Sequence, residues 1–298
     1  MEVLQNFLLM FWEVCGCIVR SAMRWVVRPK QKDVSGAICL VTGAAGNVGR
    51  RFALEFARKG VLALVLWDED REGMEETVRL VKGLGVRAYP YTCDVSQKNE
   101  VYATARRVQR EVGDVAILVN NASIVPGEQF FQCEDDVIER RMRMNCHAHF
   151  WMVKCFLPRM MEKKKGHIVT VSSHLGLVAA PYQEDFCASQ FAAVGLHESL
   201  SHALKSKNID GVKTTLICPY LTTHTSTDTP SIRPELEAFF SSTSQERDIR
   251  KAVGGILSEQ DMVCTPRILY FAALLKHVVP WEVQLLCYKF LEGEKRTQ

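Results

Sequence analysis

Eight residues, Thr42-Gly43-Ala44-Ala45-Gly46-Asn47-Val48-Gly49, join an apolar run to a segment of helical periodicity. Glycines between a strand and a helix let backbone approach a pyrophosphate, where the unpaired N–H groups of the helix start and its dipole favour an anion. Asp68 ends the next apolar run, 19 residues past Gly49, where a carboxylate accepts hydrogen bonds from an adenosine ribose. A carboxylate there repels a 2′-phosphate, which favours NAD(H) without excluding NADP(H). Asp68-Glu69-Asp70 also reads as a solvated acidic run. His147 and His149 stand two apart on a helical segment, hence on different faces, so they are expected to be structural and no metal is expected.

Three more signals follow in order: Cys93-Asp94-Val95, Asn120-Asn121-Ala122 and Ser173, each after an apolar run. Together with the turn at 42–49 they resemble the short-chain dehydrogenase/reductase family over residues 36 to 280. The wording Ala148-His149-Phe150-Trp151, Phe156-Leu157-Pro158, Gly166-His167-Ile168-Val169-Thr170-Val171 and Phe191-Ala192-Ala193-Val194-Gly195 is similar to its membrane-associated subgroup acting on retinol, retinal and 17-beta-hydroxysteroids. The resemblance implies an oxidoreductase of lipophilic alcohols or carbonyls. It places Thr42, Gly43, Gly46, Asn47, Val48, Gly49, Asp68 and Val95 around the cofactor, with Asp94 at the adenine. Asn120 and Ala122 would frame the cofactor, and Pro219 and Thr222 would flank the nicotinamide. It also implies homo- or heterodimers with family members, through the helices at 135–161 and 186–204.

Members of that family move a hydride with an Asn, a Ser and a Tyr followed four residues later by a Lys. The Tyr hydroxyl supplies the proton a reduced carbonyl needs, and the ammonium lowers its pKa by stabilising the phenolate. Asn145 and Ser173 match; Phe186 and Gln190 stand in place of the Tyr and the Lys, in text that aligns without a gap. General acid–base catalysis contributes ~100- to 10,000-fold, so activity is expected to be weak or lost. The alternative is a non-catalytic, cofactor-binding partner of an active relative. Tyr182 and His174 are the candidates for a substitute acid. Asn47 replaces a family glycine, at a cost that its tolerance of positive φ would moderate. Ser123 replaces another, so dinucleotide binding is expected to be weakened rather than abolished.

The elements that must position these residues alternate. Apolar runs at 38–42, 62–67, 88–93, 116–119, 167–172 and 214–218 read as strands, and amphipathic segments at 49–58, 73–82, 99–112, 135–161 and 186–204 as helices. This predicts an α/β fold: one Rossmann-type, doubly wound parallel sheet with helices on both faces. Residues 222–245 are expected to form a lid; the C-terminal apolar segment, 264–291, reads as a core helix plus a tail, and the resemblance implies instead that it helps cover a lipophilic pocket or touches a bilayer.

Ahead of this domain (33–298) lies a segment, 1–32, of another kind. Leu4, Leu8, Phe11, Cys15, Ile18, Ala22 and Trp25 repeat at helical spacing opposite Asn6, Glu13 and Arg20. Two charges in the apolar run favour lying in a membrane interface over crossing it, a hairpin or tilted span being the alternative. The whole formal charge of +3 belongs here, since Arg20, Arg24, Arg28, Lys30 and Lys32 face only Glu2 and Glu13. The balanced remainder argues against a nucleic-acid partner. The eleven scattered cysteines, without a Cys-x-x-Cys, point to a reducing compartment. The expected address is the endoplasmic reticulum membrane or the lipid-droplet surface, with the domain facing the cytosol.

Overall fold

The structure, a computed structural model, describes residues 2–26, 29–125, 130–220 and 245–291, in two compact units spanning 1–32 and 33–298. The first unit is one helix, α1 (Glu2–Val26). Its large apolar side chains, among them Leu4, Leu8, Phe11, Trp12 and Ile18, are exposed. Among the described residues no helix is long and apolar enough to cross a membrane.

The second unit is built on seven parallel strands: β1 (Ile38–Thr42), β2 (Ala63–Asp68), β3 (Arg87–Thr92), β4 (Val115–Asn120), β5 (Gly166–Val171), β6 (Val212–Pro219) and β7 (Met262–Thr265). Their order is β3-β2-β1-β4-β5-β6-β7, the doubly wound order anticipated from the alternation of runs. The central strands are buried on both faces, which is why they read as unbroken apolar runs rather than alternating ones. Phe52 and Phe56 of α2 (Asn47–Arg58), Met74 and Val81 of α3 (Arg71–Gly83), and Ile249, Val253 and Ile256 of a later helix form one core against the sheet. Val101 and Val108 of α4 (Lys98–Glu111), with Met152, Phe156 and Met160 of α6 (Ala148–Glu162), form the other.

Chain reversal in sheet order occurs between β1 and β4, so the crevice beyond their carboxyl ends is the switch point where such folds bind ligands. Thr42 and Asn120 close those two strands.

Around this sheet the structure gives finer bounds than the sequence does. The helix expected over 135–161 is α5 (Asp135–Met142), a π-helical turn at Arg143–His147, and then α6. The expected lid at 222–245 lies outside the described residues except for Gln245, which opens α8 (Gln245–Leu257), the helix that carries Ile249. In the C-terminal apolar segment Cys264 and Thr265 complete β7, registered on Cys218 and Pro219, and two helices follow, α9 (Ile268–Lys276) and α10 (Trp281–Leu291). The helix expected from 186 begins earlier, as α7 (Glu184–Ser206).

Candidate active site

The glycine turn runs from β1 into α2 as the sequence implied. Gly43 has φ +67, and a Cβ there would lie 2.9 Å from Ala122 Cα; a Cβ on Gly49 would lie 2.0 Å from the Gly43 carbonyl oxygen. Only glycine fits at either place. Thr42 ties the turn to the loop after β4, its hydroxyl accepting the N–H groups of Asn121 at 2.9 Å and Ala122 at 3.0 Å. The Asn121 amide donates back to the Thr42 carbonyl at 2.9 Å.

Asp68, at the end of β2, accepts the Ala45 N–H at 2.8 Å and the Asp70 N–H at 3.0 Å. Its carboxylate is thereby held against the turn. Val48 packs half-buried on the first core, while Asp94 caps its own turn by accepting the Ser96 N–H at 2.8 Å beside buried Val95. Asn47 does not take positive φ; it is the first residue of α2, in helical backbone. The backbone cost expected for replacing a glycine there does not arise.

These residues fit a nicotinamide dinucleotide on two counts. The α2 N-terminus carries no capping side chain and no acid in its first turn, leaving its N–H groups and dipole to an anion. The Asn120 side chain is buried at the switch point with neither its amide nitrogen nor its oxygen hydrogen-bonded, and a buried polar group of that kind costs about 1–3 kcal/mol unless something satisfies it. Pro219 ends β6 nearby in the sheet, and Thr222 lies outside the described residues.

Asn145 sits in the π turn between α5 and α6. Its side-chain oxygen accepts the Ile124 N–H at 2.7 Å, and its amide donates to the Ile124 carbonyl at 3.0 Å and to Ser189 of α7 at 3.1 Å. The π turn re-aims one side chain so that it pins the loop after β4 to α7. Ser173 follows β5 and caps a short 3-10 turn, accepting the Leu175 N–H at 3.2 Å.

Phe186 and Gln190 lie one turn apart on α7 and are both buried. Phe186 packs with Leu175, Cys187, Ala180 and Phe191. Gln190 accepts a 2.8 Å hydrogen bond from the Ser172 hydroxyl through its side-chain oxygen and donates to Ser123 at 3.4 Å. Ser172 and Ser189 are the residues that reasoning from motifs overlooked. Each adjoins or follows a motif residue, but only the tertiary contacts reveal what it holds.

The two candidate substitute acids are placed differently. Tyr182 precedes α7 in a left-handed turn, φ +67, so it is not one helical turn before Phe186. His174 stacks on Tyr220 with ring centroids 4.5 Å apart and lies 3.3 Å from the Ser173 hydroxyl. Burial pushes its pKa down to about 4, against the opposing pull of a hydrogen bond to the Pro219 carbonyl. At neutral pH the ring is therefore uncharged. His147 is exposed and His149 buried, so the two do not share a site.

Residues 37–235 match the family model described as short chain dehydrogenase. Among curated proteins, the chain is 43% identical over 320 residues to retinol dehydrogenase 10 of Homo sapiens, covering 99% of this chain and 94% of that one. The Xenopus tropicalis protein of the same name is also 43% identical, with the same coverage. Among solved structures, a short chain dehydrogenase/reductase from Burkholderia phymatum in complex with NAD superposes with a TM-score of 0.72 at 24% identity, over 86% of this chain and 96% of that one. A metagenomic short-chain oxidoreductase in complex with NADP gives 0.65 at 23%, over 78% and 98%.

Proposed function

The chain belongs to the short-chain dehydrogenase family, and from that premise we propose that it is a membrane-surface member that binds a nicotinamide dinucleotide and has weak or no hydride-transfer activity toward lipophilic alcohols and carbonyls. The observation that carries this reading is the contrast within one crevice. The cradle at 42–49 and the uncapped start of α2 fit the dinucleotide, while Phe186 presents a packed hydrocarbon ring and Gln190 an uncharged amide. When bound, the dinucleotide supplies the hydride; Ser173 would orient the substrate oxygen, and no neighbouring side chain described above supplies the proton.

Two features support NAD(H) over NADP(H). Asp68 faces the turn with a carboxylate that repels a 2′-phosphate. Arg50, the cation nearest in sequence to that corner, is engaged by the Ala45 and Gly73 carbonyls at 3.1 Å each and by Glu76 at 2.8 Å. The substrate class, retinoid or hydroxysteroid, follows the resemblance and the name of the 43%-identical relatives. Exposed apolar side chains on α1, followed by Arg28, Lys30 and Lys32, support attachment to the endoplasmic reticulum or lipid-droplet surface. The alternative of a non-catalytic partner draws on the same contrast, since a scaffold that keeps its cofactor cradle can still assemble with an active relative.

The test is restoration in detergent. The full chain should bind NADH in a fluorescence titration and turn over retinal or a ketosteroid at least ~100-fold more slowly than a Phe186→Tyr/Gln190→Lys variant. Equal rates would refute the role assigned to position 186. Recovery of an active family member with the chain from membranes would favour the partner role.

A further inference from the structure

We propose that Ser123 and Gln190 act as one positioning unit, a hydrogen-bond bridge that fixes the loop after β4 against the crevice and determines which side chain at position 190 the site can use. The inference rests on the dinucleotide-binding reading above. Both residues depart from the family pattern, and the structure brings the two departures into contact: the Gln190 amide nitrogen donates to the Ser123 hydroxyl at 3.4 Å.

The other end of the bridge is fixed more tightly. Ser172, which follows β5 next to Ser173, donates its hydroxyl to the Gln190 side-chain oxygen at 2.8 Å and approaches the Gln190 backbone carbonyl at 3.4 Å. Gly176 makes room for this, since a Cβ there would lie 2.7 Å from the Ser172 hydroxyl and 2.9 Å from the Gln190 carbonyl. Gln190 is 3% exposed, so its amide is desolvated and needs both partners. Ser123, by contrast, is exposed. The bridge therefore runs from the end of β5, under α7, to the loop whose Ala122 N–H is already held by Thr42 and whose Ile124 is held by Asn145.

A lysine at position 190 would be one atom longer than glutamine and would carry three donors and no acceptor. Ser172 would lose its side-chain acceptor and keep only the longer approach to the backbone carbonyl, and the Ser123 hydroxyl would be the first side-chain acceptor in front of the ammonium. The charge would be spent on Ser123 rather than on a tyrosine at position 186.

A double-mutant cycle on the full chain tests this with NADH affinity and thermal midpoint as readouts. Ser123→Ala and Gln190→Leu should each weaken NADH binding about 3-fold or more, and the double variant should be no weaker than the worse single, a non-additivity that marks direct coupling. In the Phe186→Tyr/Gln190→Lys background, adding Ser123→Gly should raise kcat at least ~10-fold with KM little changed. Additive NADH effects in a chain that binds NADH, or coupling in the thermal midpoint alone, would overturn the bridge and leave the functional reading standing. So would a triple variant no faster than the double. Absence of NADH binding by the unaltered chain would overturn the dinucleotide reading and the bridge with it.

Discussion

Asn47 donates its side-chain amide to the Gln245 side-chain oxygen at 2.8 Å, joining the first residue of α2 to the first residue of α8 across 198 positions of sequence. Arg51 completes the arrangement by donating to the Asn47 oxygen at 2.9 Å. The side chain that replaces a family glycine is thus drawn sideways, toward α8. Asn47→Gly should lose this latch and bring a pyrophosphate closer to the backbone. The expected outcome is a destabilisation of about 1 kcal/mol, from glycine in a helix and one lost hydrogen bond, together with several-fold tighter NADH binding. Denaturant titration and fluorescence titration of one preparation check both, and weaker binding would show that Asn47 itself contacts the dinucleotide.

The glycines of the turn are not equivalent. A Cβ on Gly49 would sit 2.0 Å from the Gly43 carbonyl oxygen, whereas one on Gly46 would meet only that oxygen, at 3.4 Å. Gly49→Ala should therefore force the turn open and abolish NADH binding. Gly46→Ala should be tolerated by the fold, costing less than about 1 kcal/mol. Circular dichroism melts beside NADH titrations separate the two, and a Gly49→Ala protein that binds NADH normally would contradict the geometry.

Most of this scaffold was legible because local rules and tertiary structure agree. Strands β1, β2 and β4 are buried on both faces and spell it in Val, Leu and Ile, and the turn needs glycine for reasons visible in one dimension. Strand β7 was not legible, since Met262–Thr265 is four residues long and its identity as a strand comes from pairing with β6. The π turn at Arg143–His147 contains no glycine or proline to betray it. The candidate site divides the same way. Phe186 and Gln190 were found by the family resemblance, at the places of its Tyr and Lys, but the Ser172–Gln190–Ser123 bridge joins positions 18 and 67 residues apart, which no motif encodes.

Three histidines with depressed pKa make stability depend on pH. Desolvation pushes the pKa of His149, His174 and His197 down to about 4 each, with repulsion from His197 a secondary contribution at His149. The folded state therefore favours the neutral rings, and the unfolded chain, near 6.5, takes up protons first. Their contribution is fully present above pH 6.5 and is lost as pH falls toward 4, by about 1 kcal/mol per histidine for each pH unit in that window. The thermal midpoint should fall between pH 6.5 and 4.5, and His149→Leu should flatten that slope. His149 is the ring to remove because its Nδ1 has no hydrogen-bond partner; His197 meets Thr170 at 2.9 Å. A slope unchanged by His149→Leu would show that His149 titrates normally.

Arg141 of α5 and Asp185 of α7 form an ion pair with 2% of each side chain exposed. Asp185 immediately precedes Phe186, so the pair sets where the first turn of α7 lies. Removing both charges and removing one have different consequences. Asp185→Asn takes the carboxylate from a guanidinium held in a dry interior and should cost about 3–5 kcal/mol, because a buried charge loses that Coulomb attraction without regaining water. Arg141→Met with Asp185→Leu replaces the pair by apolar volume and should cost far less, since two ions no longer need desolvation. Urea unfolding of the two variants decides the matter through the order of their midpoints. If Asp185→Asn were the more stable of the two, the pair would have to be solvated, and the start of α7, with Phe186 on it, would be held by packing alone.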